Sequence, residues 1–307
     1  MSELKTTSLS HKDNATGTPN ITMYPDGTTS IGLTHTGGFK NQLINGDFRV
    51  WARGLSWGDG SGYRTDHWEG GGTGNGPVSK VTNTLGGSCP NAFSWGGSVS
   101  TTLTQPVELA EVGNMAPFVP SSTWTLSFLQ SGTVSSVSLS FNDGSGNFNA
   151  GEKIVNDVTP TSLGGNRYSL TFTIPSDQTI ASSRTNLGVR FNKNTLDTIL
   201  LTAVQLEPGP VATPFEIIPI GTELALCQRY FEVGRTKTWV GGAAGGGITV
   251  STQYKVTKRA IATLFYGTTT GFQFLPSTTE SNYVEGFAAQ KTGSGEIAFT
   301  WSADAEL

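Results

Sequence analysis

Apolar and polar side chains alternate with a period of two over several segments in the middle of the chain. Three segments place large apolar side chains on one face: TWTLSFL (123–129), NRYSLTFTI (166–174) and LGVRF (187–191). This alternation is typical of strands with one buried face. A further segment, TILLTAVQLE (198–207), is apolar on both faces, as expected of a central strand. The pattern predicts a β-sandwich.

One amphipathic helix interrupts the alternation before it returns. A helix is predicted from Thr222 to Phe231, with Thr222 as N-cap, Leu224, Cys227 and Phe231 on one stripe, and Gly234 as the stop signal. The segments GITVSTQYKV, RAIATLFYG, FQFL and EIAFTWSA then predict about five strands, enough for a small C-terminal β-domain. A second, weaker helical turn is predicted in VELAEVGNM (107–115).

Residues 1–40 are polar and contain too few apolar side chains to form a core of their own. Ile21 and Met23 precede a Pro-Asp-Gly turn and Ile31 follows it, which predicts a small hairpin. We expect an extended arm that is ordered against a partner or against other copies of the chain; a disordered tail is the alternative. The predicted organisation is all-β: an arm at 1–40, a sandwich at 41–219, and a linker helix with a C-terminal β-domain at 220–307.

Two irregular stretches stand out between the predicted strands. The glycine-rich stretch 54–77 is predicted to be a long surface loop. The stretch PGPVATPFEIIP (208–219) cannot be helical, because its prolines remove backbone donors and restrict the residues before them. It is either a semi-rigid exit that holds the next domain at a distance, or an ordinary connection that crosses one end of the sandwich.

Composition narrows the classes of partner. Charged residues make up only 14% of the 307 residues and the net charge is −4, with no cluster of Lys and Arg. A nucleic-acid partner is therefore not expected, because a binder needs basic residues against the phosphates. No apolar run is long enough for membrane insertion and the N-terminus has no hydrophobic signal core, so synthesis in the cytoplasm is expected. Cys89 and Cys227 form no CxxC pair, which argues against a zinc knuckle.

The chain shows little sign of catalytic chemistry. Asp66 and His67 are adjacent, and neighbours on an extended chain point to opposite sides, so they do not form a catalytic pair. No GxSxG motif supplies a nucleophile. A glycosidase would need paired carboxylates, but nothing in the sequence pairs the candidates Asp59, Asp66, Glu69 and Asp143. No enzymatic activity is predicted.

Three motifs carry a resemblance to a known group of proteins. NQLINGDFRVWARG (41–54) and YRTDHW (63–68) open the sandwich, and VQLEPGPVATPFEIIPIGTELALCQRYFE (204–232) closes it. In this order they resemble the bracketing motifs of bacteriophage tail-fibre and virion appendage proteins, and YKVTKRAIATL and FTWSADAEL near the C-terminus resemble the same group. The resemblance covers about residues 41–307.

The resemblance implies a jelly-roll domain similar to carbohydrate-binding modules, followed by a short C-terminal domain. It also implies a homotrimer, localisation in the virion after assembly in the host cytoplasm, and attachment through residues 1–40 to a virion protein such as a tail adaptor or nozzle. No cofactor is expected beyond a structural Ca²⁺ that such modules often hold. The corresponding oxygen ligands would be Asn45, Asp47 and Asp197; solvated turn side chains are the alternative.

Sugar recognition normally combines an exposed aromatic ring with hydrogen-bonding side chains around it. The glycine-rich stretch offers Trp57, Asp59, Tyr63 and Arg64 as candidates. The C-terminal domain offers Trp239, which precedes GGAAGGG, and Tyr254. Core packing is the competing explanation for each aromatic residue.

The sequence therefore predicts a tail-fibre or spike subunit that contributes to recognition of a glycan on the host surface. Two alternatives stay open. The chain is purely structural, as a collar, tail or head-decoration protein without a receptor, or it degrades polysaccharide. An exposed aromatic site at the distal loops would argue against the first alternative, and the second requires two carboxylates facing each other in a cleft.

Overall fold

The computed structural model describes the chain over residues 8–9, 21–23, 29–31, 39–57, 62–71, 77–97, 101–109, 118, 120–142, 148, 153–176, 186–240, 247–267, 273–274, 282–292 and 295–306. Contacts divide it into two compact units, Met1–Lys40 and Asn41–Leu307. In the first unit, β1 (Ser8–Leu9), β2 (Ile21–Met23) and β3 (Thr29–Ile31) form an antiparallel sheet in that order. Ile21 pairs with Ile31, so the predicted hairpin is confirmed, while its role in attachment stays a prediction.

The second unit begins with a sandwich of two antiparallel sheets. The strands of the first sheet are β4 (Ser56–Trp57), β7 (Val78–Thr82), β8 (Asn91–Trp95), β10 (Thr123–Ser131), β13 (Thr161–Gly164), β14 (Arg167–Thr173) and β16 (Ile199–Pro208). Those of the second are β5 (Gly62–Thr65), β6 (Trp68–Gly71), β9 (Thr101–Glu108), β11 (Ser136–Phe141), β12 (Lys153–Val158) and β15 (Asn186–Lys193). The orders are β13-β14-β10-β16-β8-β7-β4 and β12-β11-β15-β9-β6-β5.

Large apolar side chains of both sheets meet in one core between them. Trp124 and Phe128 from β10 are buried there with Phe191 from β15, and the rings of Phe128 and Phe191 are 5.1 Å apart in an edge-to-face contact. The alternation predicted these inward rows because successive side chains of a strand point to opposite faces. The prediction of an all-β, jelly-roll-like fold is confirmed.

The C-terminal part of the second unit contains α1 (Ile220–Gln228) and two small antiparallel sheets. The strands are β17 (Phe231–Val240), β18 (Gly247–Gln253), β19 (Thr263–Tyr266), β20 (Gln273–Phe274), β21 (Asn282–Tyr283), β22 (Gly286–Thr292) and β23 (Gly295–Asp304). One sheet has the order β17-β23-β19 and the other β18-β22-β20, with β21 also paired to β22. Four of these strands, β18, β19, β20 and β23, match the predicted segments. The segments predicted no strand at β17, β21 or β22, and Phe231, expected at the end of the helix, begins β17. A second core, which includes Phe287, Phe299 and Trp301, lies between the sheets.

The helix differs from its prediction in both position and buried face. It begins after Pro219 without a side-chain cap, so Thr222 is not the N-cap, and Gly234 lies within β17. Glu223 is buried while Leu224 is exposed. The predicted apolar stripe holds at Cys227 and is wrong at Leu224, because the neighbouring Glu223 carboxylate turns inward to accept a hydrogen bond from the backbone N–H of Asn45. Phe231 is buried as well, but it begins β17 and lies outside the helix.

Two loop or helix predictions are also wrong. The stretch 54–77 holds β4, β5 and β6, and the turn between β5 and β6 buries Asp66 and His67; residues 58–61 and 72–76 lie outside the described residues. Val107 and Glu108, expected in a helical turn, belong to β9 and pair with Leu187 and Asn186 of β15; residues 110–115 of the predicted turn lie outside the described residues. Glycine content and local helical spacing are weak signals beside strand pairing across a sheet.

The proline-rich connector crosses the sandwich rather than standing away from it. The Glu207 carboxylate of β16 accepts a hydrogen bond from Thr213 N–H at 2.8 Å, and the Gln205 side-chain oxygen accepts one from Glu216 N–H at 2.7 Å. Thr125 of β10 donates its hydroxyl to the carbonyl of Gly209 at 2.7 Å. The connector therefore does not hold the next domain away from the sandwich: residues 209–216 cover the part of the outer face of the seven-stranded sheet that lies over β10 and β16.

Candidate functional site

The outer face of the sheet β17-β23-β19 is the candidate site. Residues directly opposite in an antiparallel pair share a face, and the register pairs Val233 and Phe265 with Ser302, and Arg235 with Thr300. The next rows along β17 and β23 carry Lys237 opposite Ala298 and Trp239 opposite Glu296. The central strand thus presents small side chains between larger ones on β17 and β19.

The inner face of the same sheet explains why the outer face stays open. Ile297, Phe299, Trp301 and Ala303 of β23 alternate inward and are buried in the C-terminal core. Gly234 lies opposite Trp301, and a Cβ at Gly234 would come within 2.2 Å of the indole ring. The large side chains of β23 therefore pack in the C-terminal core, and the residues between them point to the outer face.

The outer face contains a groove of about 500 Å³, lined by Val233, Gly234, Phe265, Tyr266, Gly267, Thr300, Trp301 and Ser302. Gly267 belongs to this lining because it donates its N–H to the carbonyl of Thr300 at 2.9 Å. A Cβ at Gly267 would come within 2.2 Å of the Thr300 hydroxyl, so glycine leaves that hydroxyl room in the groove.

Three large apolar side chains remain exposed on this face. Trp239 is 74% exposed, Phe265 57% and Val233 43%. Exposed apolar side chains gathered on one face of a protein mark a binding surface more often than scattered ones do. Trp239 was predicted as a ligand-binding residue, and it lies in the same outward row of β17 as Val233, beyond the residues that line the groove.

The same face carries charged side chains. The Lys237 Nζ atom lies 3.4 Å from a carboxylate oxygen of Glu296, and both side chains are largely exposed, so this pair contributes little to stability. Arg235 is exposed opposite Thr300, at the edge of the groove. At the end nearest the sandwich the face is closed, because the Arg53 guanidinium lies 3.8 Å from the centre of the Phe231 ring.

Tyr254 does not belong to this surface. It is only 8% exposed, its ring lies 6.0 Å from that of Phe287 and 5.8 Å from that of Trp301, and it packs in the C-terminal core. Its prediction as a ligand-binding aromatic is therefore wrong. The sequence could not show that Tyr254 is buried and Trp239 exposed, since both residues lie near glycine-rich or turn segments.

The described residues of the glycine-rich stretch do not form an exposed binding site. Arg64 is buried, and Tyr63 is half-buried with the Arg53 guanidinium 5.0 Å from its ring centre, so neither is the exposed side chain that was predicted. Both residues lie in β5, which pairs with β6 as part of the six-stranded sheet of the sandwich and not in a free surface loop. Trp57 lies in β4 with its side chain outside the described residues, and Asp59 also lies outside them.

The predicted calcium ligands do not meet. The Asn45 side chain donates to the carbonyl of Val50 and accepts from its N–H, and Asp47 forms an ion pair with Arg49. Asp197 is exposed and precedes β16, whereas Gly46 accepts a hydrogen bond from Val204, seven residues further along. Along an extended strand this separation is roughly 20 Å. The prediction that these residues are neighbours is wrong, and they do not fit a common Ca²⁺ ion.

A buried ionic cluster that the sequence did not reveal joins the sandwich to the C-terminal strands. The Glu306 carboxylate lies 2.8 Å from His67 Nδ1 and 3.3 Å from the Arg53 guanidinium, which also contacts Asp304 at 2.8 Å. Glu108 of β9 binds Arg229 at 3.1 Å and Arg259 at 2.7 Å. Its members are scattered from 53 to 306, so no local pattern could have grouped them.

Two buried carboxyl groups, those of Asp66 and Glu223, have strongly raised pKa values. Burial raises the pKa of Asp66 to about 6, and repulsion from Glu306 adds to it, although the Ala52 N–H and Arg53 oppose the shift. Burial raises the pKa of Glu223 to about 7; Asp47 adds to the shift, while the Asn45 N–H and Arg49 oppose it. Both groups therefore titrate near neutral pH, but neither faces the groove.

Among the described residues, His, Cys, Asp and Glu side chains form no group of three or more suited to a metal ion. No helix described here has the length and apolar character to cross a membrane.

Comparison with known proteins gives structural similarities only. No protein-family model matches the chain, and no curated protein is significantly similar to it. A solved structure of the enzymatically active domain of tailspike protein 4 from bacteriophage CBA120 aligns with 17% identity and a TM-score of 0.35, over 55% of this chain and 22% of that one. The chain thus spans about a fifth of the length of that tailspike structure.

Two carbohydrate-binding modules align over most of their own length. The TmCBM61 module, solved with β-1,4-galactotriose, has 13% identity and a TM-score of 0.30, over 56% of this chain and all of that one. The family 11 module of a cellulosomal cellulase of Clostridium thermocellum has 12% identity and a TM-score of 0.28, over 54% of this chain and 94% of that one. These values describe a distant likeness in β-sandwich architecture and identify no ligand.

Proposed function

We propose that the chain is a subunit of a phage virion appendage that binds a glycan of the host surface through the groove of the sheet β17-β23-β19. The observation that carries the glycan part is Trp239, a large aromatic side chain that is mostly exposed on the same face as an apolar groove. Such a ring costs the protein solubility unless it has a binding partner.

The chemistry of the groove suits a sugar. Aromatic rings bind the C–H face of a pyranose while nearby polar groups take its hydroxyls. Trp239 and Phe265 supply the rings, and Thr300 and Ser302 supply hydroxyls on the strand between β17 and β19. An open groove of this kind gives modest affinity per site, and several copies in a virion raise the overall affinity.

No carboxylate occurs among the eight described residues that line the groove. Hydrolysis by a glycosidase needs two of them on opposite sides of the scissile bond. The lining residues therefore favour binding over cleavage. Beyond the lining, Glu296 lies opposite Trp239 on the same face and pairs with Lys237.

The virion part of the proposal rests on the sequence motifs that resemble tail-fibre and appendage proteins. The N-terminal residues 1–40 form a unit distinct from 41–307, which suits an attachment segment that contacts an adaptor or nozzle protein. We propose a homotrimer in the virion, assembled in the host cytoplasm. A purely structural subunit is the alternative, and the groove would then be covered by another virion protein.

An adsorption assay tests the proposal. Purified full-length protein is added to host cells before phage, alongside Trp239→Ala and, as a control, Leu196→Ala, which removes an apolar side chain that is 73% exposed on the sandwich. We expect wild type and Leu196→Ala to bind cells and block adsorption, and Trp239→Ala to lose about tenfold or more in binding. Equal cell binding by all three proteins, or none by wild type, would contradict the proposal.

A further inference from the structure

Two positively charged side chains lie beside the groove although the chain as a whole is acidic, and Glu296 on the same face pairs with one of them. Arg235 and Lys237 lie two residues apart on β17, so both project from the outer face between Val233 and Trp239. The net charge of the full sequence is −4. Two adjacent cations on an exposed aromatic face therefore oppose the general charge of the protein.

The two cations differ in their surroundings. Lys237 lies 3.4 Å from Glu296, which partly neutralises it. For Arg235, the part of the chain that the structure describes supplies no ion pair, and its side chain is exposed. An arginine offers five donors in a planar fork that matches a carboxylate, so a ligand carboxylate would find its donors at this position.

The geometry permits one polymer to reach both the rings and the cation. Residues 233 to 239 of an extended strand span roughly 20 Å, and successive outward side chains are roughly 7 Å apart. Arg235 is directly opposite Thr300, which lines the groove, and Trp239 is two outward positions further along β17. A chain of sugars lying along β17 would pass Arg235 between its contacts with Val233 and Trp239.

We infer that this groove selects an acidic polysaccharide, with a uronic-acid carboxylate bound by Arg235 and sugar rings against Trp239 and Phe265. The inference rests on the proposed function and deepens it by naming the class of glycan. Charge complementarity argues for this occupant over a neutral glycan, since a neutral ligand would leave the exposed Arg235 charge beside the site without a counter-charge.

The test measures binding of the purified native oligomer to immobilised polygalacturonate, alginate and hyaluronan, with fully methyl-esterified polygalacturonate as the neutral counterpart of the first. The variants are Arg235→Gln, Arg235→Lys and Trp239→Ala. Lys153→Gln is the control, because it removes one exposed positive charge from β12, a strand of the sandwich that does not belong to the sheet β17-β23-β19. The oligomeric state of each variant is checked by light scattering.

We expect the wild type to bind at least one acidic polymer and to bind the methyl ester about tenfold or more weakly. Arg235→Gln should weaken binding to the acidic polymer about tenfold, with Arg235→Lys retaining part of it and Lys153→Gln all of it. Binding should fall as salt rises, because exposed charges are screened.

Three results would overturn the inference, and they separate it from the proposed function. Equal binding of the ester and the acid, with Arg235→Gln unchanged and Trp239→Ala defective, would leave a glycan site without charge selection. Absence of binding to any acidic polymer, while host cells are still bound through Trp239, would have the same meaning. Dissociation of the oligomer by Trp239→Ala would show that the face is a contact between copies, and both proposals would fail.

Discussion

The outer faces of two sheets in the second unit have opposite fates. On the seven-stranded sheet, Thr125, Gln205 and Glu207 project away from the core, yet they are buried because residues 209–216 of the connector bond to them. On the sheet β17-β23-β19, Val233, Phe265 and Trp239 project away from the core and remain exposed. The connector covers this part of the first face, whereas the described residues leave the second face exposed.

The difference between the two faces is consistent with the partner proposed for the second face. A buried polar face needs a hydrogen-bond partner for each group, and the connector backbone supplies it. An exposed apolar face contributes nothing to folding and lowers the solubility of the protein, so such a face points to a role in binding. The prolines of the connector have a structural explanation in the first face, whereas Trp239 has none in the second.

The largest expected effect on stability is at the ionic cluster that joins the sandwich to the C-terminal strands. Replacing Glu306 with Ala leaves His67 and Arg53 without the buried carboxylate that contacts them. We expect the free energy of unfolding to fall by about 3–5 kcal/mol, measured by urea denaturation at pH 7. The exposed Glu285→Ala is the control and should change it by less than about 0.5 kcal/mol. A small effect at Glu306 would mean that the two regions are held together mainly by apolar contacts.

The next largest effect on stability depends on pH and concerns α1, which lies between the sandwich and the C-terminal strands. The pKa of Glu223 is raised from 4.5 to about 7 in the folded chain, so the folded state holds the proton more tightly than the unfolded state does. This contribution to stability is complete below about pH 4.5 and is lost as the pH rises through 7. Glu223→Gln keeps an oxygen acceptor for the Asn45 N–H without the charge.

We therefore expect Glu223→Gln to be more stable than wild type at pH 8, by up to about 3 kcal/mol, and the advantage to shrink towards pH 4.5. Urea denaturation at several pH values measures it, with the exposed Glu285→Gln as the control. A stability difference that is independent of pH would show that Glu223 does not titrate in this range.

A moderate effect is expected where the connector covers the sandwich. Glu207→Ala removes the carboxylate that accepts hydrogen bonds from the Thr213 N–H and hydroxyl and from the Gln205 side chain. Leaving these donors unsatisfied should cost about 1–3 kcal/mol. Hydrogen exchange of the Thr213 amide should also accelerate, while Glu207→Gln should retain part of the protection. An unchanged exchange rate would mean that the connector is held by other contacts.

The smallest effect is expected on the uncovered face. Trp239→Ala should change the free energy of unfolding by less than about 0.5 kcal/mol, because the side chain is mostly outside the core. In contrast, Trp301→Ala on the inner face of the same sheet should cost about 3–5 kcal/mol. Thermal and urea unfolding of the two variants check this directly. A large loss of stability at Trp239 would assign it a structural role instead.

The outcome for individual residues shows how far sequence patterns reach. The rows around Trp124, Phe172 and Phe191 were predictable, because period-two alternation depends only on neighbours along one strand. The exposure of Trp239 and the burial of Tyr254 were not, since both are aromatic residues near turns. Whether such a residue lies inward depends on which strand pairs with it and on which face the second sheet packs.

Errors at the helix and the calcium ligands have the same origin. Thr222 and Leu224 fit a local capping and stripe pattern, but Asn45, 178 positions from Glu223, supplies the partner that turns the carboxylate inward. Asn45, Asp47 and Asp197 were grouped by analogy between strands. The register of β16 against Gly46 places Asp197 at the far end instead.

By itself the sequence determined that this protein is built of short strands with an aromatic core, one short helix and an N-terminal hairpin. Those features follow from side-chain period, turn residues and proline, all of which act within a few residues. Only the tertiary structure decided that the connector covers one sheet, that Glu306 reaches His67 and Arg53, and that one face of the C-terminal sheet stays open beside Arg235 and Trp239. These outcomes depend on contacts between residues far apart in the chain, which burial and backbone pairing select and no local pattern records.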